Sequence, residues 1–167
     1  MAMVGEDTVM PAPRLRSGPV DPGLLQAYVG ACYEVRLHDG WCRLRVGEPA
    51  ARLEAALPAP AYAVISAWNP GSQRRSGAGN RRADADLRAR LGELGLACLR
   101  SRSRDAYGRW QEEGWMAAAP TPVQADRLAA RFGQAAILYW QAQAPVGLRL
   151  YRPPPALAAL PPWVVVA

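Results

Sequence analysis

Apolar and polar residues alternate one by one over residues 33–46, a period typical of β-strands with one buried face. The alternation is centred on Asp39-Gly40, which predicts a two-residue hairpin turn because both central residues of a type I′ turn need positive φ. Such a turn would place Leu37 opposite Cys42 and all the apolar side chains of the hairpin on one face. The pattern therefore predicts an antiparallel pair with one covered and one polar face.

A second period, of about 3.6 residues, marks two helices. Apolar residues recur at helical spacing after Asn80, a good N-cap residue, and Gly95 would end this helix. Thr121-Pro-Val-Gln124 has the pattern of a capping box and predicts a second helix before Gly133. The apolar run 62–67 predicts a central strand. Further strands are expected at 96–101, 115–118, 134–141 and 146–152, and a short helix is expected from Glu48-Pro49 to about Leu57.

The order of these elements favours an α+β fold: a single domain with about three helices and a largely antiparallel sheet that has hairpins at both ends. The domain is expected to span residues 23–152. Residues 1–22 predict a disordered N-terminal tail, and residues 153–167 predict a flexible, Pro-rich C-terminal tail. Trp163-Val-Val-Val166 is the exception, because its large apolar side chains are costly to leave in water. We expect it to dock on the domain or on a partner.

The 167-residue chain has a formal charge of +6, and all 20 of its basic residues are arginine. A GC-rich coding sequence would produce that excess without any function, whereas a basic protein is also attracted to phosphates of nucleic acids or small molecules. Three cysteines and one histidine lack the short spacings of a zinc site, so no metal or cofactor is expected. No segment has the pattern of a signal peptide or a membrane span, which predicts a cytoplasmic protein without membrane contact.

A polar loop directly follows the predicted central strand and is the best candidate for a binding site. Ser66 lies at the end of the strand, and Trp68, Asn69, Gly71 and Ser72 follow it. Asn69 offers both donor and acceptor groups, and Gly71 lets the backbone approach a ligand closely. An ordinary Asn-Pro-Gly turn in solvent is the alternative interpretation.

This loop leads to the predicted helix start at Asn80, where free N–H groups and the helix dipole favour an anion. Four arginines flank that position and could add bidentate contacts to a phosphate: Arg74, Arg75, Arg81 and Arg82. The sequence therefore predicts a site for a phosphate-bearing small molecule. Solvated arginines beside a plain turn would give the same pattern.

Two adjacent carboxylates, Glu112 and Glu113, are the candidate catalytic groups. They lie between two tryptophans, and strand alternation would send one carboxylate inward and the other outward. An inward glutamate beside arginines could act as a general base or could be a buried salt-bridge partner. Gln134, directly after a helix end, could reach a ligand amide or could cap its own helix.

Four segments together resemble the motif blocks of a known bacterial family: Ala63-Val-Ile-Ser-Ala-Trp-Asn-Pro-Gly-Ser72, Asn80-Arg81, Trp110-Gln-Glu-Glu-Gly-Trp115 and Phe132-Gly-Gln-Ala-Ala-Ile137. The family is domain of unknown function 3293, and the resemblance would cover roughly residues 25–152. Threonine is common in the family where Ser66 stands, and this departure keeps the hydroxyl. The resemblance implies a cytoplasmic bacterial domain with no assigned activity, and it supplies no catalytic residues.

Three hypotheses follow from these residues. The first is a module that binds a phosphate-bearing small molecule or nucleotide at the Asn69 loop. The second is an enzyme acting on such a ligand, with Glu112 or Glu113 as base. The third is a protein-interaction or nucleic-acid-associated domain that uses the basic hairpin face and the Trp163 segment. Strand-Asn-Pro-Gly also occurs in some uracil- and thymine-excising DNA glycosylases, but their parallel sheet disagrees with the hairpins predicted here.

Overall fold

The structure, a computed structural model, describes residues 18–154 and 159–167. These residues form four α-helices: α1 (Pro22–Gly30), α2 (Ala51–Ala56), α3 (Gly77–Glu93) and α4 (Pro122–Arg131). A single turn of 3₁₀ helix covers Pro70–Ser72. The strands are β1 (Cys32–Leu37), β2 (Gly40–Leu44), β3 (Ala61–Ser66), β4 (Cys98–Arg104), β5 (Gln111–Ala118), β6 (Ala136–Gln141), β7 (Leu148–Leu150) and β8 (Val164–Val166).

All eight strands lie in one sheet, in the order β2-β1-β4-β5-β3-β6-β7-β8. Every pair is antiparallel except β7 with β8, which is parallel. The α+β fold with a largely antiparallel sheet is therefore confirmed. As predicted, the apolar strand β3 lies in the interior of the sheet, between β5 and β6.

The sheet curls, so that the chain leaving β2 meets the loop before β7. Gly47 N–H donates to the carbonyl oxygen of Val146, and Val146 N–H donates to that of Glu48. The curl creates an inner and an outer face, and each face has its own apolar core. The inner core includes Tyr62, Met116 and Leu138, with α1 and α2 packed against it, and the outer core joins β3, β5 and β6 to α3 and α4.

The β1–β2 hairpin has the predicted faces but not the predicted register. Leu37 pairs with Gly40 instead of Cys42, and Val35 pairs with Cys42. The turn residues are His38 and Asp39 rather than Asp39 and Gly40, and neither has positive φ. The register differs from the predicted one by two residues, an even number, so every side chain stays on its predicted face.

Helix α4 begins as predicted, because Thr121 and Gln124 form the reciprocal capping box. The prediction that Asn80 caps α3 is wrong. The N-cap is Ser76, whose side chain accepts a hydrogen bond from Gly79 N–H, and Asn80 is a buried residue within the first turn. Helix α2 begins two residues later than its predicted first-turn proline, at Ala51.

Two elements lie outside the predicted set. Helix α1 opens after Asp21, whose carboxylate caps it, with a proline at the first helical position. Strand β8 forms one edge of the sheet, and the adjacent Trp163 ring packs on Gly47, which confirms that this segment docks on the domain. Most of the predicted N-terminal tail, residues 1–17, and residues 155–158 of the predicted C-terminal tail lie outside the described residues.

Candidate functional site

Small and polar residues replace the usual apolar side chains in two adjacent rows across the inner face. Ser66 of β3, Gly114 of β5 and Ser101 of β4 are cross-strand partners in one row. Glu112 of β5 and Ser103 of β4 are partners in the next row. Because these side chains are short or polar where Met116 and Leu138 fill the neighbouring rows, the inner face is hollow here.

The hollow is a cavity of about 330 Å³ between the sheet and helix α1. Leu24, Ala27 and Tyr28 of α1 contribute to one wall, and Leu138 and Leu148 contribute to the apolar end. The volume is within the range of small-molecule sites, roughly 300–1,000 Å³. The combination of apolar walls and a few convergent polar groups is also typical of such sites.

Gly114 keeps the floor of the cavity open. A Cβ atom at this position would lie 2.5 Å from the carbonyl oxygen of Ile65 and 3.2 Å from Ser101 Oγ. The first contact is with backbone of the paired strand, which cannot move without disturbing the β3–β5 ladder. Glycine is therefore required here by close approach rather than by an unusual φ.

Glu112 is an ionisable residue in the lining of this cavity. Its Oε1 accepts hydrogen bonds from Asn69 Nδ2 at 3.0 Å and from Trp110 Nε1 at 2.9 Å. Within the described part of the chain, no hydrogen bond reaches Oε2 and no guanidinium pairs with the carboxylate. Burial raises the pKa of Glu112 to about 7, although the two hydrogen bonds lower it. Glu112 can therefore gain or lose a proton near neutral pH.

Asn69 is held in place by a reciprocal pair with Asn80. Asn69 N–H donates to Asn80 Oδ1, and Asn80 Nδ2 donates to Asn69 Oδ1. Arg75 N–H also donates to Asn69 Oδ1, so the amide oxygen is fully used and Nδ2 is directed to Glu112. Asn69 has φ 46°, in the left-handed region that asparagine tolerates better than most residues. The Asn69 loop thus positions the carboxyl of Glu112.

Tyr28 and Ser72 connect α1 to the same loop. Their hydroxyl groups lie 2.7 Å apart and are hydrogen-bonded. Burial raises the pKa of Tyr28 above its usual value, and the hydrogen bond with Ser72 partly offsets this effect. Tyr28 is therefore a neutral hydroxyl at physiological pH, and it lines the cavity together with Ser72 and Glu112.

Some of the predicted site residues meet at this cavity. Its lining includes Ser66, Asn69, Ser72, Glu112, Glu113 and Gln134. As predicted, the two glutamates face opposite ways, since Glu113 Oε2 lies 3.6 Å from Arg100 Nε on the outer face. Gln134 Nε2 donates to the carbonyl oxygens of Phe132 and Trp68, so this side chain links the C-terminal end of α4 to the loop after β3.

Other predicted site residues lie away from the cavity. Arg81 and Arg82 are exposed on α3, and Gly71 donates its N–H to the carbonyl of Gly133. Trp68 is half-buried and lies outside the lining. The guanidinium of Arg74 lies 4.9 Å from the centroid of the Trp110 ring, and Trp110 is a lining residue of the cavity. The four arginines thus do not converge on one pocket.

The sequence interpretation missed Tyr28, Ser101, Ser103 and Trp110. A signal for two of them is present in Arg100-Ser-Arg-Ser-Arg104, where serine alternates with arginine. In a strand this alternation puts serines on one face and arginines on the other, so neither face has the composition of an ordinary core. For Tyr28, the available signal is Asp21-Pro22, which is typical of a helix start. It predicts helix α1, but it does not predict that this helix covers the inner face of the sheet.

The fold and the cavity together define a single α+β domain with a candidate small-molecule site inside a curled sheet. Residues 65–137 match the family described as "Protein of unknown function (DUF3293)". This match confirms the resemblance predicted from the sequence, over a shorter span than expected. No curated protein and no solved structure matches the chain. The matched segment includes β5 with Glu112 and the Asn69 loop, but not α1.

Two further findings concern the classes of partner. In residues 18–154 and 159–167, no group of three or more His, Cys, Asp or Glu side chains is placed to hold a metal ion. Nor does any helix in this part of the chain combine the length and apolar character that a membrane crossing needs.

Proposed function

We propose that the protein binds a small molecule in the cavity between α1 and the inner face, and that Glu112 exchanges a proton with it. One observation carries the proposal: both hydrogen bonds to the Glu112 carboxyl converge on Oε1, which leaves Oε2 for a ligand. The carboxyl is half-buried, and partial desolvation of an oxygen without a protein donor costs free energy unless water or a ligand satisfies it. A ligand that donates a hydrogen bond to Oε2 would remove that cost.

The lining supports a ligand with donor groups at one end. Glu112 and the hydroxyls of Ser101, Ser103 and Tyr28 belong to the polar part of the lining, and alanine, valine, isoleucine and leucine residues form its apolar part. A phosphate on the ligand would lie near Trp110, where the guanidinium of Arg74 stacks on the ring. We therefore keep the phosphate-bearing ligand expected from the sequence, with Arg74 rather than Arg81 or Arg82 as the residue that contacts the phosphate.

The pKa of Glu112 favours an enzyme over a passive binding module. A general acid or base is most effective when its pKa lies near the working pH, because both protonation states are then populated. Burial gives Glu112 a pKa of about 7, whereas a carboxylate that only anchors a ligand works best fully ionised. Asn69 and Trp110 would orient the carboxyl, and α1 would exclude water from the reacting groups.

A thermal-shift screen tests this proposal. The probes are nucleosides, nucleoside monophosphates, sugar phosphates, polyols and simple amines, each at pH 6 and pH 8. We expect at least one class to raise the Tm of the wild-type protein by mass action, and Glu112→Gln to lose most of that shift. Glu113→Gln, which changes the neighbouring carboxylate on the opposite face, should keep it.

Two outcomes would contradict the proposal. One is a compound that stabilises the wild type and Glu112→Gln equally, since it must bind elsewhere. The other is the absence of any shift across all the probe classes. Proton exchange is tested separately by the pH dependence of binding, which should change between pH 6 and pH 8 in the wild type and not in Glu112→Gln.

We also propose that the protein is bacterial and cytoplasmic. The resemblance to the family supports this location, and so do the three cysteines, all of which are free thiols. Fractionation of cells producing the chain tests the location, and recovery mainly outside the cytoplasm would contradict it.

A further inference from the structure

The outer face of the sheet is only half covered by helices. Helices α3 and α4 pack on β3, β5 and β6, whereas the same face of β1, β2 and β4 carries mostly polar side chains. Five arginines lie on these three strands or directly after β2, and we call them the arginine face: Arg36, Arg43, Arg45, Arg102 and Arg104. All but Arg102 are exposed. By strand alternation these side chains project from the face opposite to that of Glu112, although Arg102 and Arg104 also contribute to the lining of the cavity.

The arginine face carries more positive than negative charge. Glu34 lies between two of the arginines, 2.7 Å from Arg102 Nε and 3.3 Å from Arg104 Nη2. Glu48 Oε1 lies 3.8 Å from Arg45 Nη1, in an exposed pair. Five guanidinium groups thus face two carboxylates. A surplus of this kind on one surface attracts a polyanion.

An aromatic ring lies within this surface. The Trp41 ring has the Arg102 guanidinium 4.0 Å from its centroid and the Arg36 guanidinium at 5.7 Å. Trp41 is half-buried, so part of the residue is open to solvent. Single-stranded nucleic acids are held by this combination, in which arginines track the phosphates and an aromatic side chain or guanidinium plane stacks on a base.

We propose that the arginine face binds single-stranded nucleic acid, with phosphates on Arg36, Arg43 and Arg45 and a base stacked at Trp41. Arg43 lies on β2 and Arg45 directly follows this strand, and both are exposed. Arg36 is on the neighbouring strand, opposite Trp41. The contacts therefore spread over an extended surface rather than one pocket, as a polymer requires. This proposal does not depend on the cavity.

Fluorescence anisotropy with labelled 20-nucleotide single strands of DNA and RNA tests the proposal, at salt concentrations from 50 to 200 mM. The test variant is Arg36→Gln with Arg43→Gln. Its matched control is Arg82→Gln with Arg127→Gln, which removes the same charge from two exposed positions on α3 and α4. We expect the test variant to bind roughly tenfold or more weakly, with a slope of log K against log salt shallower by about 1.4. The control should bind within about twofold of the wild type.

Trp41→Leu separates nucleic acid from other polyanions. The substitution keeps every charge, so it should weaken binding of the oligonucleotides several-fold and leave binding of a sulfated oligosaccharide of similar charge unchanged. Circular dichroism confirms that each variant is folded. The proposal is overturned if the wild type binds no single strand at 50 mM salt, if the control loses as much affinity as the test variant, or if Trp41→Leu affects both polyanions equally.

Discussion

Glu112 and Glu113 are neighbours in the sequence, but they lie in opposite environments on the two faces of β5. Glu113 lies beside Arg100, which also pairs with Asp84 at 2.7 Å, so it belongs to an outer network of opposite charges. Glu112 accepts hydrogen bonds from two neutral donors, Asn69 and Trp110, within a cavity. Burial raises the pKa of Glu112 to about 7, and these two hydrogen bonds offset only part of that rise.

Adjacent residues of one strand can therefore lie in different electrostatic environments, because their side chains project from opposite faces of the sheet. On the outer face, Glu113 and Arg100 are partly exposed, and Arg100 also pairs with the buried Asp84, which holds α3 against the sheet. On the inner face, the Glu112 carboxyl has two neutral donors and no ion pair among the described residues, and its partial burial costs some stability. Residue type does not distinguish the two glutamates; the register of the sheet does.

The strongest test of the inner face is Gly114→Ala. The new Cβ atom would meet the Ile65 carbonyl oxygen at 2.5 Å, so the β3–β5 ladder must shift. We expect a loss of about 3 kcal/mol in the free energy of unfolding, at the upper end of overpacking effects. Urea denaturation measures it.

Gly30→Ala is the matched control, since a Cβ atom at Gly30 meets nothing within 4 Å. It should leave the free energy of unfolding unchanged or slightly higher. Equal effects at the two glycines would show that the inner face has room to spare and that the close approach described above is not a constraint.

Exchanging each glutamate for glutamine tests the comparison directly. The folded pKa of Glu112, about 7, lies above its ordinary value of 4.5. Protonated Glu112 therefore makes a contribution to the free energy of unfolding that is fully present below pH 4.5. This contribution is lost as the pH rises to about 7. Glu112→Gln should match the wild type near pH 4 and exceed it by up to about 3 kcal/mol at pH 8.

Glu113→Gln should retain the wild-type pH profile and should change stability by less than about 1 kcal/mol, because partly exposed ion pairs contribute little. Denaturant titrations from pH 4 to pH 8 give both profiles. If the two variants behave alike, the environments of the two carboxylates do not differ in the way that their contacts indicate.

A smaller effect is expected for Asn69→Ala. The change removes a donor to Glu112 and leaves the buried amide of Asn80 without its partner, which should cost about 2 kcal/mol. Because the lost hydrogen bond lowers the pKa of Glu112, its titration midpoint should rise. Carboxyl NMR titration measures the midpoint. An unchanged midpoint would mean that Asn69 does not tune the carboxyl.

The double variant Asn69→Ala with Asn80→Ala provides the control for the amide pair. If the two side chains act as a unit, the double variant should lose much less stability than the two single variants together. Additive losses would indicate two independent structural roles.

The helices illustrate what local sequence can predict. The start of α4 follows from the capping box, because Thr121 and Gln124 satisfy each other's backbone groups within four residues. The start of α3 differs from its predicted position because Asn80 has the same intrinsic preference for a cap but pairs with Asn69, 11 residues away in the sequence. A competing partner from another element is not visible in a local pattern.

The sheet shows the same limit. Alternation predicted which side chains of β1 and β2 face the core, but the turn type did not determine the register, since His38 and Asp39 form the turn. The Asn69 loop and the two glutamates could be selected from residue chemistry alone. The cavity could not, because it depends on three strands aligning Ser66, Gly114 and Ser101 and on α1 covering them.

The hollow beneath α1 has a volumetric consequence. A folded protein that encloses unfilled space becomes smaller when it unfolds, so hydrostatic pressure favours unfolding in proportion to that space. The cavity of about 330 Å³ is partly open to solvent and has polar lining, so water that enters it offsets part of this effect, and an occupant that displaces the water changes the volume difference between the folded and unfolded chain. Pressure can therefore report occupancy of this site even before the chemical identity of the occupant is known.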